Sequence, residues 1–136
     1  MANPTGVRET IQGTLTVIID SNLTSKEGYA VNFDATDDFV VNLAADQTLP
    51  PFVLLEGADG SVTATVGTIA LPGSVVKVKI GETATAGKFL VPTATGTWEV
   101  GDAAGERYGV ILLENATLGD LALGVVQLGE LEASDA

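Results

Sequence analysis

The chain has 136 residues, a length that suits one ordinary domain, and sets 18 Asp and Glu against 6 Lys and Arg for a net charge of -12. It contains no His and no Cys, which excludes disulfides, thiolate or imidazole metal sites, and any triad built on those side chains. So small a stock of cations argues against nucleic acid or an anionic membrane surface as a partner.

Residues 1–12 read as an extended N-terminal arm, with turn chemistry at Asn3-Pro4-Thr5-Gly6 and apolar residues at Val7 and Ile11. The first ten residues hold no apolar core of signal-peptide length. The longest apolar runs, such as Phe52–Leu55 and Val110–Leu113, are four residues, far short of a membrane span. A single β domain is expected over 13–129, with a subdivision marked near residue 72. Residues 130–136 form an acidic tail expected to fray.

Within the domain, Gly13–Ile19 alternates to place Leu15, Val17 and Ile19 on one face. Thr24–Gly28 reads as one short helical turn. Tyr29–Phe33 is a strand, and Asp38–Ala44 is another, with Phe39, Val41 and Leu43 sharing a face. After Pro50-Pro51 come Phe52–Glu56 and Ser61–Val66, the latter placing Val62, Ala64 and Val66 together. Asp59-Gly60 between them predicts a tight hairpin turn, because such turns need residues tolerant of positive φ.

Pro72-Gly73 closes the first half. Ser74–Ile80 then faces Val76, Val78 and Ile80 inward and Lys77 and Lys79 outward. Strands follow at Phe89–Val91, Thr97–Val100, Tyr108–Leu113 and Leu121–Leu128. Leu-Gly pairs end at Gly119, Gly124 and Gly129, a five-residue spacing that fits neither helix nor strand; the glycines read as bulges or close-packing sites. The expected class is all-β: a small sandwich or barrel-like domain of short strands with Gly/Pro-rich turns. Aromatics are 5%, so the core rests on Val, Leu, Ile and Ala, and oligomerisation or docking is a natural supplement.

Carboxylates are the one catalytic device present in number. Asp34, Asp37 and Asp38 form the densest cluster, read either as a solvated acidic loop or as a weak Ca²⁺ site; their spacing is not that of an EF-hand. No glycine run has phosphate-cradle spacing. Ser74 and Lys77 form an S-x-x-K string, but on a strand they face opposite sides. No catalytic residue and no cofactor is therefore assigned. Lys77 and Lys79 read either as edge protection or as a contact for an acidic neighbour. The arm, through Val7 and Ile11, can add a strand to a neighbour's sheet.

The second half carries a resemblance. Pro72-Gly73-Ser74-Val75-Val76-Lys77-Val78-Lys79-Ile80-Gly81 is followed by Thr85-Ala86-Gly87-Lys88-Phe89-Leu90-Val91, then Thr95-Gly96-Thr97-Trp98. Tyr108-Gly109-Val110-Ile111-Leu112-Leu113-Glu114-Asn115-Ala116 and Gly119-Asp120-Leu121 complete the series. This order resembles the capsid cement, or head decoration, proteins of tailed bacteriophages; Ile111 stands where that family has a small residue, and Leu113 is an insertion. The resemblance implies a structural virion protein on the outer surface of the expanded capsid. It further implies a homotrimer bridging subunits of the major capsid protein, with no catalytic residues. The alternative is a head-fibre or adhesin-like β module binding a cell-surface glycan, with Tyr29, Tyr108 and Trp98 as the stacking platforms.

Overall fold

Most segments in which apolar side chains alternate form strands, in a computed structural model that describes residues 13–44 and 47–132. Five of them close on each other: β1 (Thr14–Ile19), β2 (Ala30–Phe33), β3 (Val40–Leu43), β4 (Phe52–Glu56) and β5 (Thr65–Ala70). They make a barrel in the order β1-β3-β2-β4-β5. β1 runs parallel to β3, with Ile18 opposite Val40, and antiparallel to β5, from Thr14 opposite Ala70 to Ile19 opposite Thr65. Closure leaves this unit no open sheet edge.

The second unit is an antiparallel sheet of β6 (Val75–Lys79), β7 (Phe89–Pro92), β8 (Trp98–Val100), β9 (Arg107–Leu112) and β10 (Leu121–Glu130), in the order β6-β10-β9-β7-β8. Alternation sorts the barrel strands between two cores. Val17, Ile19, Val31, Val41, Leu54 and Ile69 fill the barrel. Their neighbours Ala30, Val53 and Ala70 point the other way, into a core with Val76, Val78, Leu90, Trp98, Val110, Leu112 and Val126 of the second sheet. Small residues on the barrel wall let the sheet approach closely. Gly28 is one such point of approach: its carbonyl accepts from Lys79 N (3.0 Å) and from the buried Trp98 Nε1 (3.0 Å).

The all-β class read from the sequence holds, and the second-half strands fall where alternation put them. The first half departs from expectation at Phe39, described with the site below, and in three further places. Thr24–Gly28 forms turns rather than a helical turn, with Ser25 at φ 60° and Gly28 at φ 86°. Ser61–Ala64 is loop, not strand; β5 begins at Thr65 and Val62 is 95% exposed. Asp59-Gly60 is not the hairpin turn either. Gly60 lies flat on the end of β1, donating to Ser21 O (2.9 Å) beside an Asn22–Asp59 bridge. An added Cβ there would run into the Ile19 carbonyl, so the glycine serves close approach.

β10 also runs past its expected end. It reaches Glu130, and the next residue, Leu131, is buried and bonded to the Gly105–Glu106 loop. Of the Leu-Gly pairs, Gly124 packs against Val110 and Gly129 lies under the Tyr108 ring, next to a bulge between Val126 and Gly129. Val7 and Ile11 lie outside the described residues.

Candidate functional site

The acidic loop between β2 and β3 is a self-contained turn. Asp34 carboxylate accepts from Thr36 N (2.8 Å), Thr36 Oγ1 (2.8 Å), Asp37 N (3.2 Å) and Asn42 Nδ2 (3.2 Å). The backbone bond from Thr36, then its hydroxyl, then the Asp37 N–H hold the Asp34 carboxyl below its ordinary value. Its oxygens are thus spent on the loop itself. Asp37 and Asp38 are exposed. Among the described residues no three side chains of His, Cys, Asp or Glu gather as a metal site would need.

The hairpin ends on an unusual residue. Phe39 has φ 62° and is 58% exposed, although alternation predicted it inside with Val41 and Leu43. Its carbonyl accepts from Ile18 N (2.8 Å), and Ile18 lies directly across from Val66, itself 63% exposed. Phe39, Ile18 and Val66 are thus three exposed apolar residues on adjoining stretches of the barrel wall, with Asp37 and Asp38 just before Phe39 in the chain.

A second apolar surface lies on the sheet. Val76, Val78, Ala122, Val126, Val110, Leu112 and Leu90 face the barrel. The alternate residues must then face out. They include a cross-strand row of Val75, Val125, Ile111 and Phe89 over four strands. Leu123 and Leu121 continue it along β10, and Leu121 is 54% exposed. Tyr108 leans on Phe89 with ring centroids 4.5 Å apart. An antiparallel sheet facing water on one side carries polar residues there; this one carries an apolar row.

Lys77 and Lys79 stand on that same face, opposite Leu123 and Leu121, on a strand that is an edge of its sheet. Lys79 Nζ donates to Gly119 O (2.7 Å), whereas the Lys77 ammonium has no hydrogen bond or ion pair among the described residues. A groove of about 260 Å³ opens beside Lys77, lined by Glu27, Gly28, Leu54, Leu55, Lys77 and Leu121. Sequence reasoning found the lysines but not the apolar row. Its signal was there: Leu121-Ala122-Leu123-Gly124-Val125-Val126 has no polar residue on either face.

The three aromatic platforms do not assemble. Trp98 is fully buried with its indole N–H on Gly28 O, which removes it from any sugar site. Tyr29 is covered by the Lys26 ammonium 4.7 Å from its ring centre, and Tyr108 is engaged with Phe89. No helix among the described residues is long and apolar enough to cross a membrane.

Neither a protein-family model nor a curated protein sequence matches the chain. Its fold, however, is similar to that of the head fiber gp8.5 N base of bacteriophage phi29, with a TM-score of 0.67 and 21% sequence identity. The likeness covers 88% of this chain and 98% of that one, so it takes in both the barrel and the second sheet.

Proposed function

We propose that this chain is a structural protein of a phage virion. It seats on the outer surface of the head and acts by contact, without transforming a substrate. The observation that carries this reading is the fold shared with a head-fibre N base along nearly the whole of that chain. The surfaces suit the task. A bridging protein needs two separate contact areas, and this chain has an apolar row on the sheet face turned away from the barrel and an apolar patch on the barrel wall. Lys77 and Lys79 beside the first would meet acidic groups of the major capsid protein. Val7 and Ile11 of the arm would add contacts by pairing with a neighbour's sheet. Several copies, a trimer in the cement resemblance, would gain avidity on a repeating lattice. Such a seat suits a cement protein and a fibre base alike, and the fold likeness is compatible with either.

The test is co-sedimentation with empty heads that lack the protein. The chain should pellet with expanded heads and bind unexpanded ones weakly. Leu121→Asp, at an exposed position, should weaken binding roughly tenfold, about 1.4 kcal/mol. Equal binding to both head forms would contradict a seat made on maturation, and no binding to either would remove the reading.

A further inference from the structure

The residue before β3 costs the fold something. A hairpin loop that ends on a residue of positive φ ordinarily carries Gly or Asn there, because a Cβ crowds the following carbonyl. This loop carries Phe39 at φ 62°. A bulky residue in that region is an outlier, and it is held here by its surroundings: Phe39 O accepts from Ile18 N (2.8 Å) and Asp34 N donates to Val40 O (2.8 Å). The ring does not repay the strain by burial, since Phe39 is 58% exposed and belongs to neither core. Strain that lifts an aromatic ring out of the molecule, next to exposed Ile18 and Val66, is the geometry of an anchor.

The surroundings say what the anchor fits. Asp37 and Asp38 are exposed immediately before Phe39, and Asp34 is held ionised by the loop's own N–H and O–H groups. No Lys or Arg lies within the loop from Asp34 to Phe39. We infer that Phe39 is the anchor of the barrel-wall contact and inserts into an apolar pocket rimmed by Lys or Arg on the shell protein. This rests on the proposed seat and names its chemistry. Carboxylates around an apolar plug steer it toward a cationic rim and away from the chain's own acidic surface.

The decisive variants are Phe39→Gly and Phe39→Asn, which suit positive φ and remove the ring, with Phe39→Tyr retaining it. An anchor held under strain gives an opposed pair of effects. The free Gly and Asn variants should melt no lower than the parent, and the Gly variant higher. Both should bind expanded heads roughly tenfold or more weakly, while Phe39→Tyr binds as the parent does. Raising salt should slow association of the parent and slow it less for Asp37→Asn/Asp38→Asn. Parent binding with undiminished binding by Phe39→Gly would overturn the anchor and leave the seat standing. Failure of the parent itself to bind would remove both. A large drop in melting temperature for both small variants would make Phe39 a packing residue, and self-association of the free parent lost in Phe39→Gly would make a second copy the occupant; either result ends the proposal.

Discussion

Glu99 shows how one side chain can be placed against its charge. It sits on β8, where Gln47 Nε2 donates to its Oε1 (3.0 Å) and also to Pro92 O (3.0 Å). Burial, and then the neighbouring Glu82 charge, push the Glu99 carboxyl above its ordinary value; the Gln47 bond opposes them, and Asp102 and Glu106 add to the rise. A carboxyl raised by folding is penalised only when ionised. The penalty is absent below the ordinary glutamate value, develops as pH rises through the folded value, and is complete above it. Glu99→Gln keeps the acceptor for Gln47 and removes the charge. It should therefore melt higher than the parent near about pH 7, with the difference vanishing near about pH 4. Paired thermal melts at the two values decide the matter, and a gain that persists in acid would assign it to something other than ionisation. None of this was legible in the sequence, because Gln47 and Glu99 are separated by 52 residues and meet only through the fold.

Whole strands were easier to read than single contacts, and the failures share a cause. In the second half Gly and Pro sit at the turns, so alternation and punctuation agree, and β6 to β10 fall where expected. In the first half two strong signals served other ends. Val62, Ala64 and Val66 alternate like a strand, and Val66 does lie in β5, but before Thr65 the chain is committed to lying across the end of β1, with Asp59 carboxylate bonded to Ser61 N (3.0 Å) and Ser61 Oγ (2.5 Å). Asp59-Gly60 looks like a hairpin turn because Gly is wanted for positive φ; here it is wanted for the space a Cβ would fill. The lysines of β6 were visible because they break an apolar alternation. The apolar row beside them was not singled out, because an apolar residue facing water and one facing a core look alike in one dimension. Gly60→Ala tests the space argument. The new methyl group meets the Ile19 carbonyl, a backbone atom that cannot turn aside, so urea unfolding should show a loss of about 2–3 kcal/mol. A neutral result would mean that the loop lifts off β1 at no cost.

At the scale of the whole molecule, the sequence resemblance and the fold likeness have different reach. The motifs run from Pro72 to Gly129, whereas the likeness to the head-fibre base spans both units. At 21% identity a barrel of short Val, Ile and Ala strands keeps its geometry while its letters drift, since many apolar residues of similar volume satisfy one alternation. What binds the two units is concentrated at a few points. Gly28 O takes hydrogen bonds from Lys79 N and Trp98 Nε1, Ala30 N donates to Gly96 O (2.7 Å), and Arg107 N donates to Gln47 O (2.7 Å). The core between the units draws residues from both. Neither unit therefore keeps its apolar surface covered once the other opens, and they should unfold together. Trp98, the one tryptophan, lies at the junction and reports on it directly. Its fluorescence and the far-ultraviolet circular dichroism should follow one superimposable curve in denaturant. Trp98→Phe removes the indole bond to Gly28 and leaves that carbonyl one donor, so the dichroism midpoint should fall by an amount worth about 1–2 kcal/mol while the curve stays a single step. Two steps in the parent would show that the barrel stands by itself, and a contact seat built across both units would then need each of them to bind alone.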